Sequence, residues 1–325
     1  MRSEERPLPV PSVILGCGTF GGIGSAKHLI GKGLDRAAAL ETLDEAAARG
    51  IDMWDTAGGY ADGESESAIG AWLATRPLQV AQRIRIATKV APASLAGETG
   101  VPFDEAYVTR NLALSLERLG QARVALFMAH ATCSVTPVGQ FVEAFAAVIE
   151  SGRVDLIGVC NVEAGQLRGF LDESQRQGVP GFTWVQNGFS LLSPEGDREV
   201  RAICRERKLV YSPFSPLGGG VLAGKYRRGE PFPPDSRLAL RPDGRSLSEK
   251  MHDALDRLHA LADARGASSA AMALAWIFGH PDCAAPVVGP SRSAPHLKHV
   301  TEGLAIELTE NERADLTQAF LAAGP

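Results

Sequence analysis

Short runs rich in Val, Ile and Leu alternate with amphipathic stretches along most of the chain. The runs fall at 13–16, 51–55, 84–89, 124–130, 156–160, 182–186, 209–212 and 284–288. Near-continuous apolar runs suit parallel strands covered on both faces. Between them, stretches 35–49, 104–119, 138–150, 164–174, 196–207 and 247–265 carry apolar residues at helical spacing. Ala38, Leu40, Leu43 and Ala46 share one face of the first; Val108, Leu112, Leu116 and Leu119 share one face of the second. Asp104 and Thr136 or Pro137 read as helix starts.

Strands alternating with helices in this way fit a doubly wound open sheet or a closed (β/α)8 barrel. Eight strands favour the barrel. The alternation runs without a linker from about Val13 to Gly289, which points to a single α/β domain over 1–325. Residues 218–246 break the pattern: they are rich in Gly, Pro and Arg and too long for a simple strand-to-helix connection. Long loops in compact domains usually serve function, so this one is expected to cap the barrel mouth.

Composition narrows the function. The net charge is −5, with no basic stripe, which argues against nucleic acid as a partner. No apolar run approaches the ~20 residues of a membrane span, and the N-terminal stretch does not read as a secretory signal. A cytoplasmic protein is expected. The five cysteines, Cys17, Cys133, Cys160, Cys204 and Cys283, are scattered without CxxC spacing. They are expected to be reduced and mostly buried.

Gly16-Cys17-Gly18-Thr19-Phe20-Gly21 matches GxGxxG. A dinucleotide-binding turn needs a helix opening directly behind those glycines. Here Gly22-Ile23-Gly24-Ser25 follows, a poor helix nucleus, and the next helical pattern starts only at Asp35. The motif is therefore a decoy.

The chemistry gathers elsewhere. One apolar run ends in Asp55, with Tyr60 in the loop beyond it; the next ends in Lys89, the next in His130. In a parallel barrel these ends share the face where active sites are built. Singly, each residue has a bland reading: a helix cap, a packed ring, a solvated amine, a structural imidazole. Together they make a proton-transfer set. A lysine ammonium lowers a neighbouring phenol's pKa, an aspartate holds the lysine charged, and a histidine orients a carbonyl oxygen. Hydride delivery to a carbonyl needs such a group, because the developing alkoxide must be protonated or stabilised.

The stretch from Gly50 to Glu66, including Asp55-Thr56-Ala57-Gly58-Gly59-Tyr60 and Ser65-Glu66, resembles the GINxxDTAxxYGxGxSE signature of the aldo-keto reductases, with Ala61-Asp62 where a glycine is common. The resemblance runs from Leu15 to about Val300. It implies that Asp55, Tyr60, Lys89 and His130 form a catalytic tetrad with Tyr60 as general acid, and that the cofactor is NADP(H). Gly158-Val159-Cys160-Asn161 resembles the family's GxSN strand end and Val185-Gln186-Asn187 its VQN strand end. Asn161 and Gln186 would then hold the nicotinamide carboxamide, with Cys160 a weaker donor than the usual serine. Ser212-Pro213-Phe214-Ser215-Pro216-Leu217-Gly218 resembles YSPLGxG; Phe214 would stack on the nicotinamide. Ser215, Leu217, Gly218 and Lys225 would line the pyrophosphate side. Gly289, Arg292 and His296 resemble the closing phosphate motif, with Arg292 on the 2′-phosphate and His296 along the adenine. Gly18, Thr19 and Phe20, with Asp55, would line the cofactor and substrate pocket.

The implied function is reduction of a small-molecule carbonyl, or oxidation of an alcohol, with no metal. Two rivals belong to other classes. An NADP(H)-binding regulatory subunit would keep the fold with little turnover. A metal-dependent barrel hydrolase lacks a second His or Glu at ligand spacing from His130. Substrate choice is expected to lie in loops 21–34, 131–137 and 220–246, with Phe20, Trp54 and Phe189 as candidate apolar lining, core packing being an equal expectation for Trp54.

Overall fold

The computed structural model describes residues 9–96, 100–234, 236, 238, 239, 247–290 and 297–324. Eight strands form one parallel sheet: β1 Ile14–Gly16, β2 Met53–Asp55, β3 Arg85–Val90, β4 Val124–Ala129, β5 Val154–Cys160, β6 Trp184–Gln186, β7 Val210–Tyr211 and β8 Val287–Val288. Neighbours pair in chain order, and β1 also pairs with β8. The ring closes just past β7. Ala284 N donates to Tyr211 O at 3.0 Å and Val287 N to Pro213 O at 2.8 Å. The result is a (β/α)8 barrel. No helix opens directly behind the Gly16–Gly21 glycines: a single 3-10 turn follows at Lys27–Leu29, Phe20 bridges Leu34, and α1 (Arg36–Ala48) starts only after Asp35 caps it at Ala38 N.

The helices behind the strands are α2 Glu64–Ala74, the short α3 Leu78–Ala81, α4 Glu105–Leu119, α5 Val138–Glu150, α6 Ala164–Gln177, α7 Arg198–Arg207, α8 Glu249–Ala264, α9 Ser269–Phe278, α10 Leu297–Leu304 and α11 Glu310–Ala323. Asp104 caps α4 by accepting from Tyr107 N at 2.8 Å, and Pro137 stands at the start of α5, as the sequence predicts. Among the described residues no helix is long and apolar enough to cross a membrane. All five cysteines are free thiols, four of them buried.

Strand side chains alternate between two cores because their period is two. Outward residues such as Leu15, Trp54, Phe127, Val159 and Val185 join the helices. An aromatic cluster of Phe103, Phe127, Phe141, Phe145, Phe170 and Phe182 fills the gap behind β4 and β6, with Phe141 stacked on Phe170 at 4.5 Å. Inward residues, among them Ile14, Met53, Leu126, Met128, Trp184 and Val287, plug the barrel. That plug is packed tightly around Gly158. A Cβ there would lie 2.8 Å from Met128 Cγ and 2.8 Å from the Trp184 carbonyl oxygen, so the close approach of β4 and β6 needs a glycine between them.

The same alternation sets the site. With Met53 inside and Trp54 outside, Asp55 must point in; with Ala87 inside, so must Lys89. The polar residues at the C-terminal ends of the strands thus stand on top of the apolar plug.

The stretch 218–246 is partly described. Residues 218–223 form a 3-10 turn, and Leu222 and Tyr226 are buried in the outer core. Tyr226 meets Phe232 edge-on at 5.3 Å, and Arg228 pairs with Glu249, Asp253 and Asp256 of α8. Residues 235, 237 and 240–246, which complete the expected cap, lie outside the described residues.

Candidate active site

Lys89 is the centre of the site. Its ammonium is almost wholly buried, and Nζ donates to Asp55 Oδ2 at 2.6 Å, to the Thr56 carbonyl at 2.9 Å and to Tyr60 OH at 3.2 Å. A buried charge needs such a full set of partners. Asp55 is buried as well, and its other oxygen accepts from Gln186 Nε2 at 3.0 Å. His130 meets the Tyr60 ring edge-on at 5.3 Å, and its Nδ1 is buried without a hydrogen-bond partner. All four residues of the expected tetrad are therefore brought together at one barrel mouth.

The electrostatics set their protonation. Burial pushes the Tyr60 phenol up to about 12, although Lys89 pulls it down. Lys89 thus acts in the expected direction, but at this depth loss of solvent outweighs the neighbouring charge and the net shift is upward. Burial also opposes the Lys89 ammonium, but Asp55, with Tyr60 and Cys160, outweighs it and holds the pKa above the ordinary lysine value. Burial, then the Lys89 charge, lowers His130 to about 3. Near neutrality the site thus holds an ammonium, an intact phenol and a neutral imidazole. Because Lys89 donates to the phenol oxygen, the phenol's own proton is left to point elsewhere.

The other expected residues divide. Gly18 lies flat against Tyr60: a Cβ there would touch the ring at 3.4 Å. Thr19 Oγ1 donates to the Pro290 carbonyl at 2.7 Å, tying the β1 loop to the β8 end, where Gly289 packs so closely that a Cβ would lie 2.6 Å from Gly16 O. Asn161 (φ 52) donates through Nδ2 to the His130 carbonyl at 2.9 Å. Gln186 is turned into the barrel, onto Asp55, with the Cys160 thiol 3.9 Å from its Oε1. Phe214 tops the inner plug, its ring against Gly188. Ser215 (φ 55) and Gly218, Gly219 and Gly220 (φ 56, 66 and 94) are all left-handed. A Cβ on Gly220 would lie 2.9 Å from Lys225 Nζ, so that cation sits over the glycine turn. Leu217 packs against the outer core. Arg292 and His296 lie outside the described residues.

Three rings do not face a pocket. Phe20 is fully buried in the sheet–helix core. Trp54 packs edge-on to Trp72 at 4.8 Å and donates to Ile51 O. Phe189 lies among Tyr211, Trp276 and His280 beneath the Arg201 guanidinium. Each points to the outer layer, which corrects the apolar-lining expectation for Phe20 and Phe189 and agrees with the core-packing alternative for Trp54. Two partners escaped sequence reasoning: the Thr56 carbonyl, which carries no side-chain signal, and Asn187, whose amide pairs with the Val162 backbone at 3.0 and 2.8 Å and steadies the Asn161 turn.

A parallel barrel carrying a buried Lys–Asp pair, a tyrosine and a histidine at its mouth defines a class of proton-handling barrel proteins. The chain belongs to the aldo-keto reductase family, a family of oxidoreductases, which it matches over residues 12–320. It is similar to the uncharacterized oxidoreductase YrpG of Bacillus subtilis, at 31% identity over 89% of each chain. It is also similar to the versiconal hemiacetal acetate reductase of Aspergillus parasiticus, at 27% identity over 98% of this chain and 96% of the relative. The aldo-keto reductase yakc of Schizosaccharomyces pombe, whose name carries NADP(+), is 26% identical over 85% of this chain and 81% of its own. The fold resembles that of a glycerol dehydrogenase from Gluconobacter oxydans, with a TM-score of 0.80 and 23% identity, covering 100% of this chain and 95% of the other.

Proposed function

We propose that the protein is an NADP(H)-dependent reductase of small aldehydes or ketones, or works in reverse on the alcohols, in the cytoplasm. The observation that carries the reading is the Lys89 ammonium between Asp55 and Tyr60, which leaves the phenol protonated with its proton free. A nicotinamide supplies or accepts the hydride when bound. The residues present fit it: a half-buried Phe214 ring offers a stacking face above the plug, and left-handed glycines beneath Lys225 offer an anion cradle. The named relatives, reductases and an NADP(+) protein, point the same way.

In this reading Tyr60 gives its proton to the substrate oxygen as charge develops there. Lys89 stabilises the phenolate left behind, and Asp55, held by Gln186, keeps Lys89 charged and in place. His130, neutral and edge-on to the Tyr60 ring, orients the carbonyl. Arg292 and His296 are assigned to the adenosine end, which favours NADP(H) over NAD(H).

Titration with NADPH and NADH, followed by quenching of tryptophan fluorescence, tests the cofactor. NADPH is expected to bind at least tenfold tighter, about 1.4 kcal/mol, and Arg292→Ala to abolish the preference. Absence of binding by either nucleotide would end the reductase reading.

A further inference from the structure

Tyr60 stands on a loop whose backbone is unfavourable on its own. Ala61, Asp62 and Gly63, which follow it, have φ of 47, 56 and 88. Residues with a Cβ avoid this region, and it persists only where the surroundings enforce it.

Ala61 N donates to the Gly24 carbonyl at 3.1 Å, and a second set of contacts reaches the loop from α2, β3 and α4. Glu66, in the first turn of α2, has a fully buried side chain. Its Oε1 accepts from Thr88 Oγ1 at 2.6 Å, and its Oε2 from Arg118 Nη1 at 3.1 Å. Arg118 reaches in from the last turn of α4 and lays its guanidinium against Gly63 and beside Gly58, one on each side of Tyr60 in the chain. A Cβ at Gly63 would fall 2.5 Å from Arg118 Cζ, and one at Gly58 3.6 Å from Nη1. Thr88 is the neighbour of Lys89 on β3, and Gly58 N donates to the Lys89 carbonyl at 3.0 Å. One buried carboxylate therefore ties the Lys89 strand, the entry of α2 and both ends of the Tyr60 loop together.

We propose that Glu66 and Arg118 form a clamp that holds the Tyr60 phenol against Lys89. Neither reaches the reacting atoms; both are positioning residues that act through the loop backbone. The proposal rests on the reading of Tyr60 as the proton donor. It also explains the glycine at 63: a Cβ there would fall 2.5 Å from Arg118 Cζ and displace the guanidinium.

The test uses the full chain with Arg118→Met and Arg118→Lys. Amide hydrogen exchange is read by mass spectrometry, and kcat, KM and NADPH Kd are measured with 4-nitrobenzaldehyde. In Arg118→Met, exchange across 56–63 should rise at least tenfold while β4 and β5 keep their protection. Its kcat should fall at least tenfold with KM and NADPH Kd within threefold. Arg118→Lys, which restores a cation for Glu66, should recover part of both. Unchanged loop exchange, or loosening spread over the whole barrel, overturns the clamp. Should Arg118→Met fail to fold, the double variant with Glu66→Gln removes the unpaired buried charge. The clamp predicts a folded protein with a fast-exchanging loop and low kcat, and wild-type kcat in that variant overturns it. If the unmodified protein neither binds NADPH nor turns over, the reductase reading falls, and loop exchange alone still decides the clamp.

Discussion

Replacing Lys89 by Met probes the electrostatic core of the site. The substitution keeps the length of the stem but removes the charge that contacts Asp55 at 2.6 Å and Tyr60 OH at 3.2 Å. At an effective dielectric of about 20, a phenolate and an ammonium 3.2 Å apart attract by about 5 kcal/mol. Without that attraction the phenol becomes a weaker acid, and its proton is harder to pass to a developing alkoxide. Water entering the vacated space offsets part of the loss, so kcat for carbonyl reduction should fall by ~10³, about 4 kcal/mol. That lies within the ~10²–10⁴ range for positioned acid–base groups. The substitution has a second effect: Asp55 is left buried with Gln186 as its remaining side-chain partner, and unpaired buried charges destabilise by about 3–5 kcal/mol. Adding Asp55→Asn removes the orphaned charge and separates the two effects. Urea unfolding should show the double variant recovering most of the lost stability, while NADPH-dependent turnover stays ~10³ below wild type. A double variant as stable as wild type that keeps more than a tenth of its kcat would refute the assignment of Lys89 as the tuner of Tyr60.

With His130 lowered to about 3 and Tyr60 raised to about 12, neither group changes charge between pH 5 and 8. Reduction, which needs the protonated phenol, should run flat through that window and decline only as the pH climbs towards the tyrosine value. Stopped-flow pH profiles read this directly, and an inflection near 6.5 that disappears in His130→Gln would contradict the burial argument. Inside the plug, Gly158→Ala forces a methyl to within 2.8 Å of Met128 Cγ and the Trp184 carbonyl. It should lower unfolding free energy by about 1–3 kcal/mol, and an unchanged urea midpoint counts against the packing described.

The barrel was legible because its strands are covered on both faces and therefore read as bare apolar runs. The four tetrad residues were legible because each ends or follows one of those runs. Strand ends were less so: β8 spans only two residues, Val287–Val288, of the apolar run at 284–288. Helix α9 escaped because nine of its ten residues, Ser269 to Ile277, are buried, leaving no polar face to create a period. Helix α2 starts inside the polar signature, and α11 buries only Leu316 and Phe320. Within the site, the inward turn of Gln186 onto Asp55 is a contact across 131 positions, and Arg118 lies 52 positions from Glu66. No local spacing encodes either. The aromatic residues misled for a related reason: a ring beside a strand end is apolar whether it faces the mouth or, as Phe20, Trp54 and Phe189 do, the helices.

Proton delivery by Tyr60 is the step on which the proposed reaction depends. Tyr60→Phe removes one oxygen and keeps the ring that packs on Gly18 and His130. Single-turnover oxidation of bound NADPH by 4-nitrobenzaldehyde, with NADPH affinity measured on the same sample, tests it. NADPH affinity should stay within threefold of wild type and the hydride-transfer rate should fall at least ~10²-fold. A Tyr60→Phe protein that reduces the aldehyde at the wild-type rate would contradict it.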